Sequence, residues 1–254
     1  MRIALQVSYD GTNYYGWQAQ DGLATIAGNL EEALSFIANE KITCVCAGRT
    51  DAGVHALRQI IHFDTSARRS DYAWVAGVNS RLPPEIRVIW AKEVDEKFHA
   101  RFSAVARTYN YTIYNAAVAS ARLGRFTTLE RIPLNISKMQ QASEYLLGEH
   151  DFSSFRGSGC ESRTPMRNLL RLNIVNTRPL VEITITANAF LLHMVRNIVG
   201  TLLKIGRGEH PPEWIKEVLA AKNRIVAGPT APAAGLCLID VSYPDFALPC
   251  PIIM

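Results

Sequence analysis

The chain has 254 residues, a net charge of +4 and 48% hydrophobic residues, which suits one large domain or two small ones. No apolar run approaches the roughly 18 residues that cross a bilayer, and no signal-peptide pattern opens the sequence, so we expect a cytoplasmic protein rather than a membrane or secreted one. The five cysteines include no Cys-x-x-Cys pair, which indicates reduced, buried thiols and favours neither a zinc site nor a disulfide framework.

The first part of the chain alternates between strand and helix patterns. Residues 2–9 alternate apolar and polar side chains as a half-buried strand does, and Thr25 and Ser70 are suited to cap two helices. The predicted order is strand, helix, strand, strand, helix, strand, which is the order of ferredoxin-like domains and RNA-recognition modules. The predicted strands span residues 2–9, 41–47, 57–63 and 86–94.

The second part of the chain shows a similar succession of elements. Ser137 is placed to cap a helix that Gly148 ends, a long apolar helix is predicted over residues 190–205, and Pro211 precedes another helix. The intervening polar stretches have no clear period and are expected to be loops. The predicted loops are residues 116–132 and 152–164, and the predicted strands are residues 105–114, 169–175, 181–187 and 236–243. The strands at 169–175 and 181–187 are predicted to form a hairpin that turns at residues 177–179.

Two halves of similar order indicate an α+β protein with a boundary near Ser103. Residues 1–103 are predicted to form an N-terminal ferredoxin-like half, and residues 104–254 a C-terminal α+β half. Two mostly antiparallel sheets of this kind could join edge to edge and leave a cleft where their loops meet. The similarity between the halves is too weak to establish an internal repeat.

Residues 47–56 (AGRTDAGVHA) connect two of the predicted strands. Glycine at positions 48 and 53 suits tight turns and a close approach of the backbone. Asp51 follows Arg49 by two residues on this loop, so its carboxylate is a candidate nucleophile or base. The alternative is a turn in which the Asp51 carboxylate hydrogen-bonds to its own backbone.

Several other features allow two interpretations. Arg196 lies in an apolar helical stripe, so its guanidinium either reaches the surface or pairs with an anion. The aromatic cluster at residues 14–18 is either a packed loop or a platform for unstacked bases. His55 and His99 are bases by residue type, but no carboxylate spacing supports a triad or a metal site. The excess of arginine, 20 of the 27 basic residues, fits either phosphate contacts or a genomic bias.

Residues 47–56 closely resemble the sequence signature of the tRNA pseudouridine synthase A family, and further blocks of the chain resemble that family in the same order. The resemblance implies an enzyme that isomerises uridine to pseudouridine at positions 38, 39 or 40 of the tRNA anticodon stem-loop without a cofactor. It also implies a continuous central sheet flanked by helices, a homodimer, and tRNA as the partner. The further blocks are Tyr9-Asp10-Gly11, Gly16-Trp17-Gln18, Phe98-His99-Ala100-Arg101-Phe102, Arg107-Thr108-Tyr109-Asn110-Tyr111, His193-Met194-Val195-Arg196-Asn197, and Gly235-Leu236 to Tyr243-Pro244.

The resemblance assigns roles to five residues. Asp51 would be the catalytic nucleophile, and Arg196 would lie close enough to keep its carboxylate ionised. Tyr109 would contact the target base, Arg49 would hold the backbone of the everted nucleotide, and Leu236 would form a wall of the uracil pocket. The sequence leaves open whether Asp51 attacks C1′ of the ribose, attacks C6 of the base, or removes a proton.

Two other functions are alternatives to this hypothesis. A non-catalytic RNA-binding protein is one alternative. A glycosidic-bond hydrolase is the other, although such enzymes usually need paired carboxylates and no second one lies within ten residues of Asp51.

The chain departs from the family pattern at three places. Arg58 stands before Gln59 where the family usually has glycine, Ala27 replaces a common glutamine, and residues 19–23 differ from the consensus. These departures bear on the tRNA contacts rather than on the five candidate site residues.

Overall fold

The computed structural model describes residues 1–244 and residue 246 and confirms a mixed α+β protein with mostly antiparallel strands. No helix in this described part is both long and apolar enough to cross a membrane. The strands are β1 (Arg2–Tyr9), β2 (Val45–Cys46), β3 (His55–Asp64), β4 (Ile86–Val94), β5 (Ala106–Asn115), β6 (Thr128–Glu130), β7 (Gly148–Asp151), β8 (Met166–Thr177), β9 (Leu180–Ala187) and β10 (Leu236–Ser242). The α-helices are α1 (Ile26–Ala38), α2 (Asp71–Arg81), α3 (Ile136–Glu144), α4 (Met194–Gly206) and α5 (Trp214–Ala221).

The chain forms two compact units. The first contains Met1–Arg107 together with the strand β10 from Leu238 onward, and the second contains Thr108–Cys237. Most of β10 is therefore grouped with the N-terminal part of the chain, whereas the predicted C-terminal half, residues 104–254, included it. β10 is distant in sequence from the other strands of the first unit. No local sequence pattern could therefore have assigned β10 to that unit.

In the first unit the strands follow the order β4-β1-β3-β10, and β2 also pairs with β3. β1 is an inner strand, and Gln6 is only 4% exposed and accepts a hydrogen bond from Trp90 Nε1 at 2.8 Å. The half-buried alternation predicted for β1 is therefore wrong, because both of its faces are covered. Arg58 of β3 donates to Asp240 of β10 at 3.0 Å, so this departure from the family pattern has a partner within the fold.

Both predicted helix caps of the first unit are confirmed. The Thr25 hydroxyl accepts a hydrogen bond from the amide of Gly28 at 3.2 Å, and the Ser70 hydroxyl accepts one from the amide of Ala73 at 3.2 Å. These bonds satisfy amide groups that have no partner within a helix. α1 and α2 therefore begin where the sequence predicts, directly after the capping residues.

In the second unit the strands follow the order β5-β9-β8-β7, and β6 pairs in parallel with β5. The predicted hairpin is confirmed as β8 and β9, but three other predictions are wrong. β6 lies within residues 116–132, which were expected to form a loop, and β7 begins at Gly148, the expected helix end. Asn135 rather than Ser137 caps α3, because its side chain accepts from the amide of Lys138 at 3.0 Å. Strands of three or four residues are too short to show an alternating pattern.

α4 begins later than predicted, at Met194, because His193 has a left-handed backbone with φ of 60°. A Cβ atom added to Gly200 would lie 1.7 Å from the carbonyl oxygen of Pro229. The helix therefore contacts the segment before β10 backbone to backbone, which only glycine permits. This contact sets the position of the first turns of α4, where Arg196 lies.

Candidate active site

Asp51 lies on the loop between β2 and β3, where hydrogen bonds hold the neighbouring backbone. The carbonyl of Thr50 accepts from the amide of Trp17 at 3.0 Å, and the hydroxyls of Thr50 and Tyr9 are 2.8 Å apart. The carbonyl of Asp51 accepts from the amide of Val54 at 3.1 Å, which closes a turn. Asp51 itself is half-buried, on a loop whose backbone these hydrogen bonds hold.

Two glycines that precede α1 pack directly on this loop. A Cβ atom on Gly16, whose φ is 85°, would lie 2.8 Å from the carbonyl oxygen of Thr50 and 3.0 Å from the carbonyl carbon of Asp51. A Cβ atom on Gly11 would lie 2.0 Å from the carbonyl oxygen of Val54. Any larger residue at these positions would displace the loop. The two family-like blocks that contain these glycines therefore support the Asp51 loop.

The aromatic residues in the same segment have different environments. Trp17 is 3% exposed, and its ring centroid lies 6.1 Å from that of Tyr9. Tyr15 is 57% exposed. Of the two interpretations, the packed loop therefore holds for Trp17, which belongs to the core, and the question stays open for Tyr15.

Two buried polar side chains hold the start of the loop. The amide group of Gln59 donates to the carbonyl of Gly48 at 2.6 Å and accepts from its amide at 3.3 Å. The guanidinium of Arg107 is 8% exposed and donates to the carbonyls of Ala47 at 3.0 Å and Arg101 at 2.5 Å. Sequence reasoning missed both roles, although Arg107 lies in a family-like block. The only signal was a polar residue at an expected core position in a strand.

The two candidate histidine bases both serve the local backbone. The Nδ1 atom of His55 accepts from the amide of Gly11 at 3.1 Å, and it also lies 3.2 Å from a carboxylate oxygen of Asp10. The Nδ1 atom of His99 accepts from the amides of Arg101 at 3.2 Å and Phe102 at 3.1 Å. Each Nδ1 atom therefore lies within hydrogen-bond distance of backbone amides of its own unit. These contacts favour structural roles for both rings over general-base roles.

The second unit holds the residues expected to contact the base. Tyr109 of β5 is 8% exposed, and Phe190 packs edge-on against its ring at 5.1 Å. Leu236 is 5% exposed and follows Gly235, whose missing side chain leaves room for the ring of Tyr111 at 2.8 Å. Burial raises the pKa of Tyr111 to about 12, so this ring stays neutral. Tyr109 and Leu236 are thus both nearly buried side chains of the second unit.

Arg196 is half-buried on α4 and is attached to the segment before β10. Its Nε atom donates to the carbonyl of Ala231 at 2.8 Å, and the amide of Ala231 donates back to the carbonyl of Arg196 at 3.1 Å. The next residue, Asn197, is fully buried, and its side-chain oxygen accepts from Arg224 at 3.0 Å and Thr230 at 2.7 Å. The segment that contains residues 224–231 therefore fixes the direction of the Arg196 side chain, a role that the sequence did not reveal.

A family model described as tRNA pseudouridine synthase matches residues 5–103 and 142–244. The chain belongs to the tRNA pseudouridine synthase family. The tRNA pseudouridine synthase A of Coxiella burnetii (strain Dugway 5J108-111) is 53% identical over 249 residues, which cover 98% of this chain and 95% of that protein. The tRNA pseudouridine synthase A of Aeromonas salmonicida (strain A449) is 55% identical over 250 residues, which cover 98% and 93% of the two chains.

A tRNA pseudouridine synthase is an isomerase, so this chain is an enzyme that converts uridine in tRNA to pseudouridine. The alternatives of a non-catalytic RNA-binding protein and a glycosidic-bond hydrolase are therefore set aside. Among solved structures, a chain of the crystal structure of a Cbf5-Nop10-Gar1 complex has a TM-score of 0.34 and 9% identity, with 80% of this chain and 54% of that chain covered. That likeness is too low to support any argument.

The five predicted site residues of this synthase are divided between the two units. Arg49 and Asp51 belong to the first unit, and Tyr109, Arg196 and Leu236 belong to the second. Their roles, including the pairing of Asp51 with Arg196, stay predictions. Across residues 1–244 and 246, no group of three or more histidine, cysteine, aspartate or glutamate side chains is placed to hold a metal ion.

Proposed function

We propose that this synthase isomerises uridine at positions 38, 39 or 40 of the tRNA anticodon stem-loop, needs no cofactor, and uses Asp51 as its nucleophile. The observation that carries the proposal is the setting of Asp51, a half-buried carboxylate on a loop held by Gly16, Trp17 and Gln59. A group held in its reacting geometry loses little freedom on the way to the transition state, which favours catalysis.

The proposed reaction balances without any external reactant. The bond between N1 of uracil and C1′ of the ribose breaks, a bond between C5 and C1′ forms, C5 loses its proton, and N1 gains one. The carboxylate of Asp51 fits three roles in this reaction, namely attack on C1′ of the ribose, attack on C6 of the base, or removal of a proton. Attack requires the ionised form, which an opposite charge nearby would favour.

The other site residues are proposed to hold the nucleotide. Tyr109 stacks on the flipped uracil, Leu236 closes the pocket, Arg49 contacts the backbone of the everted nucleotide, and Arg196 supplies the charge opposite Asp51. Stacking of a base on an aromatic ring is worth about 1–3 kcal/mol, which offsets part of the cost of unstacking the target. We also propose that the enzyme is a homodimer, as its resemblance to the family implies.

The test is to incubate the protein with unmodified tRNA and then to map pseudouridine at single-nucleotide resolution. We expect pseudouridine only at positions 38 to 40, with full activity in the presence of a chelator and without an added cofactor. The matched control is the same tRNA with cytidine at those three positions, which should stay unmodified. Pseudouridine only at other positions, or a requirement for an added cofactor, would contradict the proposal.

A further inference from the structure

An exposed aromatic ring lies beside a cation on the turn between β4 and β5 in the first unit. Phe102 is 76% exposed, and Arg101 is also exposed, with its guanidinium carbon 5.7 Å from the centroid of the Phe102 ring. The ring of Phe102 stacks on that of His99, with centroids 4.3 Å apart and planes inclined at 29°. An exposed aromatic ring next to a guanidinium suits contact with a nucleobase and its phosphate.

Hydrogen bonds hold this turn in one conformation. The Nδ1 atom of His99 accepts from the amides of Arg101 at 3.2 Å and Phe102 at 3.1 Å, so the imidazole is fixed below the Phe102 ring. The hydroxyl of Ser103 accepts from the amide of His99 at 3.0 Å, and the amide of Ser103 donates back to the carbonyl of His99 at 2.9 Å. A surface that is already ordered loses less entropy when a ligand binds.

The turn is connected directly to the Asp51 loop within the same unit. A single Arg107 guanidinium donates both to the carbonyl of Arg101 at 2.5 Å and to the carbonyl of Ala47 at 3.0 Å, at the start of that loop. Burial raises the pKa of the Cys46 thiol to about 12, and the nearby charges of Arg49 and Arg101 oppose that rise. Arg49 and Arg101 therefore both lie within electrostatic range of Cys46, at the start of the Asp51 loop.

We propose that the ring of Phe102 is a stacking site for an unpaired base of the tRNA, with Arg101 at the adjoining phosphate. This inference rests on the proposed anticodon-arm substrate, whose loop supplies unpaired bases next to the target uridine. Proteins recognise unpaired RNA bases largely by stacking them on aromatic side chains. Phe102 would then be a positioning residue that holds a neighbouring nucleotide while the target uridine reaches Asp51.

The test compares Phe102→Ala with Phe102→Trp and with a matched control, Phe36→Ala. Phe36 is 61% exposed, and its ring lies under the guanidinium of Arg81 at 4.1 Å, so it offers a similar pair elsewhere in the first unit. The RNA is an anticodon stem-loop in which 2-aminopurine replaces one loop base at a time. Binding is measured by titration, stacking by quenching of 2-aminopurine fluorescence, and folding by circular dichroism.

We expect Phe102→Ala to raise the Kd for the stem-loop roughly 5- to 100-fold, because base–aromatic stacking is lost, and to abolish the quenching at one loop position. Phe102→Trp should retain both, and Phe36→Ala should change neither. An unchanged Kd and unchanged quenching in Phe102→Ala would overturn the inference, as would an equal loss in Phe36→Ala. The mapping of pseudouridine tests the proposed function separately, because product at other positions would overturn that function. The binding and quenching of the Phe102 variants decide the present inference.

Discussion

At the scale of single residues, Gly16 has a direct bearing on where Asp51 can lie. Its φ of 85° suits glycine, and the space for its Cβ atom is taken by the backbone of the Asp51 loop, 2.8 Å away at Thr50. Gly22 has a similar φ of 74°, but no atom lies within 4 Å of its Cβ position. The two glycines therefore share a positive φ but differ in their neighbours.

Gly16→Ala is expected to lower the rate of pseudouridine formation at least about 10-fold, because a shift of the loop by a few tenths of an ångström misplaces the carboxylate. Gly22→Ala also places a side chain at positive φ, at a cost of roughly 1–2 kcal/mol, and should keep the wild-type rate. Single-turnover assays on unmodified tRNA measure the rates, and thermal unfolding measures the stability of each variant. Equal rates for the two variants would show that the contact between Gly16 and the loop is unimportant.

Sequence reasoning proposed candidate site residues but did not reveal the side chains that support the Asp51 loop. Asp51 stands out because two glycines flank it on a short loop, and Arg196 because a charge interrupts an apolar stripe. Gly16, Gln59 and Arg107 could not be recognised in the same way, because each acts on residues far away in the chain. Such contacts follow from the tertiary fold and leave no local period.

At the scale of elements, β3 and the turn after β4 meet at a pair of histidines. The rings of His62 and His99 lie 4.7 Å apart, and the Nδ1 atom of His62 accepts from the amide of Ala100 at 3.1 Å. Burial, followed by the charges of Arg2 and His99, lowers the pKa of His62 from 6.5 to about 4. The folded protein therefore holds this ring neutral under conditions in which the unfolded chain binds a proton.

The free energy of unfolding is consequently expected to fall as the pH drops from about 6.5 to about 4, by about 1–3 kcal/mol. His62→Asn keeps an acceptor for the amide of Ala100 but does not titrate, so its stability should vary less across this window. Urea unfolding at several pH values tests the difference. Below this window both proteins should lose stability further, because hydrogen bonds from Thr65 and Ser66 lower the pKa of Glu40 to about 2. Identical pH profiles between about 6.5 and 4 for the two proteins would contradict the assignment.

Long elements with a regular apolar pattern, and helices with a clear capping residue, were predictable from sequence. The caps at Thr25 and Ser70 and the hairpin of β8 and β9 are present as expected. β6 and β7 were missed because they are short, and the start of α4 was misplaced because the left-handed backbone of His193 depends on its tertiary setting. Local pattern therefore specifies the longer elements, whereas packing decides the short ones.

At the scale of the whole molecule, the net charge of +4 is small for a protein that binds RNA. The excess of arginine over lysine favours a few specific phosphate contacts over a general attraction. We expect the Kd for tRNA to rise about 100-fold as the salt concentration increases from roughly 50 to 200 mM, which corresponds to about four released counterions. Arg49→Ala should reduce the salt slope by about one. A Kd that is insensitive to salt would argue against phosphate contacts.

The central claim is that the carboxylate of Asp51 performs the chemistry on a uridine of tRNA. The most direct measurement is single-turnover formation of pseudouridine by Asp51→Asn and Asp51→Ala, with tRNA affinity measured in parallel and with the exposed Asp21→Asn as control. The account predicts a rate loss of at least about 1,000-fold in both Asp51 variants, with affinity close to that of the unaltered protein and full activity in the control. A rate near that of the unaltered protein in either Asp51 variant would contradict it.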